Sequence, residues 1–74
     1  MTFDYSKLKG KIVEKFGTNK EFAKAMNLSE PAISSKLKSG ASFFQSQIIL
    51  ACSLLDIQND EIGEYFFNEN VQKK

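Results

Sequence analysis

Apolar residues recur along this chain at helical intervals. Tyr5, Leu8, Ile12 and Phe16 lie three or four residues apart, which puts them on one stripe of a helix over about 4–16. Gly10 weakens that helix by about 1 kcal/mol relative to Ala, a cost that neighbours packed on it would offset. Gly17 ends it. Thr18-Asn19-Lys20-Glu21 has the spacing of a capping box, with the Thr18 hydroxyl accepting from the third amide and Glu21 reaching back. A second helix over about 19–26 follows, with Phe22, Ala23 and Met26 inward. Asn27 suits the left-handed conformation of a sharp inter-helix turn. Ser29 opens a third helix over about 29–39, with Pro31 in its first turn, Ile33 and Leu37 on its buried side, and Ser39-Gly40 as its end. The segment ASFFQ reads as a connection. A fourth helix over about 45–55 carries Ile48, Ile49, Cys52 and Leu55 as its stripe. Asn59 or Asp60 caps a short fifth helix over about 60–67, where Asp60 and Glu61 suit the positive end of the dipole. Residues 68–74 form a frayed tail. No alternating strand of useful length, repeat or low-complexity stretch interrupts this order, so the expectation is one all-α domain over 1–74 with five helices.

Composition narrows how such a domain holds together. A chain of 74 residues buries only about 60% of its unfolded surface, so its stability is thin. One cysteine excludes an internal disulfide, and the absence of histidine argues against zinc. Compact helical packing, helped by dimerisation, is the remaining route. Cys52 sits in the apolar run IILACSLL and reads as a small buried hydrophobe in a reducing cytoplasm. The N-terminus MTFDYSKLKG has no apolar core of a signal peptide, and no apolar run approaches a membrane span. The expected location is therefore cytoplasmic, with no membrane partner and no cofactor.

Charge adds polarity that the net value of +1 conceals. Residues 1–40 hold eight lysines against four acidic residues, and residues 41–74 hold two against five. A basic first part and an acidic second part suggest an anionic partner at one end, although solvated lysines on ordinary helix faces would look similar.

The second and third helices carry the functional reading. Two short helices joined by about three residues, the later one small and polar on its outer side, form a helix-turn-helix pattern. Ala23 lets the helices cross closely, and Leu28 and Ile33 wedge the angle between them. Small residues on the outer side of the third helix would let it approach base edges in a major groove. Amides at helix N-termini, with nearby lysines, would hold phosphates.

The segments FDYSKLKGKIVEKFG, KEFAKAMNLSEPAISSKL and IILACSLLDI, with EIGEYFF beyond, resemble the phage repressor and Cro group, which has the lambda-repressor-like helical fold. They are especially similar to short Cro-like proteins of Gram-positive hosts, including the modulator-of-repression type, over nearly the whole chain. The resemblance implies a compact five-helix DNA-binding domain acting on double-stranded operator DNA, as a dimer, in a lysogenic–lytic switch. Carried over by position, Glu30, Pro31, Ala32, Ser34 and Ser35 would face base edges. Lys36 or Lys38 would lie near phosphate, while Asn19, Lys20, Ser42 and Gln45 would contact the backbone.

Departures from that pattern keep a second reading open. The chain has no arginine for a bidentate contact to guanine, and neither Pro31 nor Ala32 carries a side-chain donor. Glu30 would repel phosphate unless it accepts from cytosine, and Phe44 stands where a hydroxyl N-cap is expected. The alternative is a modulator that docks on a phage repressor. The pair Phe43-Phe44 would serve there as an apolar anchor, although at least one ring is expected to fold inward. Phe66 and Phe67 point about 100° apart on a helix, so one packs inward and the other is free to seal a homodimer. Without histidine, and with one buried cysteine, the usual bases and nucleophiles are missing, so neither catalysis nor a small-molecule substrate is expected.

Overall fold

The computed structural model describes residues 3–68. Its helices are α1 (Ser6–Phe16), α2 (Asn19–Ala25), α3 (Glu30–Ser39), α4 (Gln45–Leu55) and α5 (Ile62–Phe66), the last preceded by a 3-10 turn over Asn59–Glu61. The fold is all-α, with no strand among the described residues. The tail expected over 68–74 falls, from residue 69 on, outside the described residues.

Local chemistry sets most of the boundaries. Asp4 Oδ1 accepts from the Ser6 amide at 2.9 Å and from its hydroxyl at 2.6 Å, and α1 starts at Ser6, one residue after the first member of the apolar stripe. These bonds hold the Asp4 carboxyl below its usual range, with Lys9 adding a weaker pull in the same direction. Gly17 ends α1 at φ 86°, where its amide reaches Val13 O at 3.0 Å. Thr18 Oγ1 accepts from the Glu21 amide at 3.2 Å, and Ser29 Oγ accepts from Ala32 at 3.3 Å. Between those caps Asn27 takes φ 61°, and the Leu28 amide closes the turn on Ala23 O at 2.9 Å. Gly40 ends α3 at φ 77°.

One further cap is as expected and one changes. Phe44 caps α4 without a side-chain acceptor; instead its own amide donates to Gln47 Oε1 at 2.9 Å. The start of the last helical segment belongs to Gln58, whose amide donates to Glu61 Oε1 at 3.1 Å, rather than to Asn59 or Asp60.

The core gathers Tyr5, Leu8, Ile12, Phe22, Ala23, Met26, Ile33, Leu37, Phe43, Ile48, Ala51, Cys52, Leu55, Ile57, Tyr65 and Phe66. No polar or charged residue is buried with them among the described residues. Phe43 is the hub of an aromatic chain, 5.4 Å from the Tyr5 ring and 5.7 Å from the Phe66 ring. Phe43 and Phe66, offered above as partner contacts, are thus core residues at 7% and 1% exposure. Ile49 is also corrected: it points out at 62% exposure, and Ala51 fills the inward place. Three successive apolar residues, Ile48, Ile49 and Leu50, turn through about 200° of helix, more than one core face can cover. Gly10 has open space where a Cβ would stand, so no packing neighbour requires a glycine there.

Candidate macromolecule-binding face

Helices α2 and α3 pack on each other, and burial of Ile33 and Leu37 fixes which side of α3 faces out. Glu30, Pro31, Ala32, Ser35 and Lys38 are exposed there, as is Lys20 at the start of α2. Ser34, Lys36 and Asn19 are half-buried because each is engaged with a neighbour. Ser34 Oγ donates to Glu30 Oε2 at 2.5 Å, and Asn19 Nδ2 donates to Ser34 Oγ at 3.5 Å. That chain ties the first turn of α2 to the first two turns of α3. It also occupies three groups expected to meet DNA and leaves a carboxylate on the face.

Lys36 turns toward the α3–α4 connection. Its Nζ donates to Ser42 O at 3.1 Å and lies 5.5 Å from the Phe43 ring centre and 5.3 Å from that of Phe44. Phe44 stands out at 70% exposure, with Ser42 and Gln45 exposed beside it. Phe67 is 50% exposed and packs edge-on against Phe3, with ring centres 5.9 Å apart. Sequence reasoning missed Val13, Ile49 and Leu50 as exposed apolar residues, at 60%, 62% and 39%. A signal for α4 was present: none of its eleven residues is charged.

No pocket opens among the described residues, and none of their His, Cys, Asp or Glu side chains group to hold a metal ion. Burial pushes the Cys52 thiol up, away from its reactive thiolate form. No described helix is long and apolar enough to cross a membrane.

A family model described as "Protein of unknown function (DUF739)" matches residues 1–69. The chain belongs to the DUF739 family. Among curated proteins none matches significantly. Among solved structures, this DUF739 chain is similar to the solution structure of the modulator of repression (MOR) of the temperate bacteriophage TP901-1 from Lactococcus lactis. The two are 43% identical, the similarity covers 97% of each chain, and the TM-score is 0.78. The likeness to the modulator-of-repression type therefore extends across the whole fold, α3 and the α3–α4 connection included.

Proposed function

We propose that this protein is a phage modulator of repression that acts by binding a repressor protein, and that it does not read an operator on its own. The carrying observation is its 43% identity over 97% of the chain to a protein of that type. The face supports the same reading. Its polar side chains bond to one another, Glu30 adds a negative charge, and Phe44 offers a ring at 70% exposure. Aromatic anchors of this kind dominate protein interfaces, whereas phosphate selects against the carboxylate. The proposal is of a single-domain binding protein rather than an enzyme, acting in the cytoplasm where a phage repressor meets DNA.

The deciding experiment mixes the purified protein with a phage repressor protein and measures co-elution and affinity. It also titrates the protein alone onto phage operator and onto random duplex. Stable co-elution without operator preference is the expected result. No complex, together with preference for the operator, would overturn the reading.

Operator binding through a helix-turn-helix stays a second reading because Pro31, Ala32, Ser35 and Lys38 lie open on α3, with Lys20 beside them. In that case affinity falls steeply with salt, and changing Ser35 and Lys38 together to Ala weakens it further. A homodimer would then bring two copies to two half-sites.

A further inference from the structure

We infer that Lys36 is a positioning residue for the exposed Phe44 ring rather than a contact to phosphate; this rests on the repressor-binding reading above. Residues 41–44 join α3 to α4 with no regular structure of their own, yet three neighbours pin them. Tyr5 Oη donates to Ala41 O at 2.5 Å, Lys36 Nζ donates to Ser42 O at 3.1 Å, and Gln47 accepts from the Phe44 amide at 2.9 Å. Lys36 alone among these is charged, and of the three only Lys36 reaches both rings, since Tyr5 packs on Phe43 alone. One ammonium lies 5.5 Å from the Phe43 ring centre and 5.3 Å from that of Phe44.

Its effect on the two rings differs. Phe43 is already held by the core, with Tyr5 on one side and Phe66 on the other. No ring packs against Phe44 among the described residues, so the ammonium of Lys36 is what orients it at the surface. A ring held in place before encounter loses less freedom on binding than one that must be ordered by the partner. The role predicts that charge, not chain length, is what Lys36 contributes: Arg would keep it and Met would lose it.

The test compares Lys36→Met and Lys36→Arg in the full chain, first in the free protein. Ring currents should shift the Lys36 side-chain protons of the wild type upfield. Met is expected to move the NMR signals of residues 42–44 and broaden those of the Phe44 ring, while signals elsewhere and the melting transition stay in place. With the repressor, Met should bind about tenfold more weakly and Arg close to wild type. If the signals of residues 42–44 stay unchanged in Lys36→Met, the positioning role is overturned, even where binding falls, since the lysine then touches the partner directly. If the wild type binds no repressor, the parent reading fails, and the free-protein spectra still decide whether Lys36 sets the ring.

Discussion

At the scale of single residues, neighbours with the same side chain have opposite duties. Phe43 is sealed in the aromatic chain and Phe44 is open, so the same substitution should act differently at each. Phe44→Ser places a hydroxyl at the N-cap of α4, so it is expected to keep or raise stability by about 1 kcal/mol while abolishing co-elution with a repressor. Phe43→Ser removes a core ring, costs about 3–5 kcal/mol, and should unfold so small a domain; thermal melts of the two variants check both outcomes. Tyr5 carries a second residue-scale prediction. Its hydroxyl donates to Ala41 O across 36 positions of sequence, and burial raises its ionisation above the ordinary phenol value. A raised folded value means the neutral form is favoured in the native state. That stability is complete below the unfolded pKa of 10.0 and is lost as pH climbs through the folded value. Tyr5→Phe should cost about 1 kcal/mol at neutral pH and remove the tyrosine's share of the alkaline loss, read by urea titrations at several pH values. The patterns Phe43-Phe44 and Phe66-Phe67 showed that one ring of each pair turns in. They carried no information on which one.

At the scale of elements, caps and left-handed turns were legible because their chemistry is complete within four residues. Thr18, Ser29, Asn27, Gly17 and Gly40 act where their side chains and backbone preferences place them. The misreadings have the opposite character. Ile49 joined the α4 stripe on spacing alone, yet the rotation of α4 against α1 sends it outward and turns Ala51 in. Neighbours packed on Gly10 would offset its cost to α1, but open space surrounds the position of its missing Cβ. Gly10→Ala should therefore stabilise the protein by about 0.5–1 kcal/mol, through better helix propensity and a less flexible unfolded chain. A higher urea midpoint with an unchanged slope would confirm it; a lower midpoint would show that the glycine has a role the contacts do not reveal.

At the scale of the whole molecule, the basic first part and the acidic second part meet, among the described residues, in one surface ion pair. Lys7 of α1 pairs with Glu64 of α5 at the surface, which raises the Lys7 pKa, so part of the charge asymmetry is neutralised within the chain. Lys36 is likewise engaged with its own chain. Fewer free lysines on the α3 side mean fewer phosphate contacts. Added alone to duplex DNA, the protein should bind weakly, with a shallow salt slope and no operator preference. A steep slope with sequence preference, measured by anisotropy across salt concentrations, would restore operator reading as its main activity. Periodicity and capping, which act over a turn of helix, were enough for the chain alone to specify an all-α, five-helix molecule with a small polar outer side on α3. Tertiary structure decided the partners: which phenylalanine is core, that Ser34 and Asn19 bond to one another, that Lys36 faces two rings, and that Tyr5 holds Ala41. Those choices depend on how helices rotate and cross, and residues far apart in the chain meet only after that geometry exists.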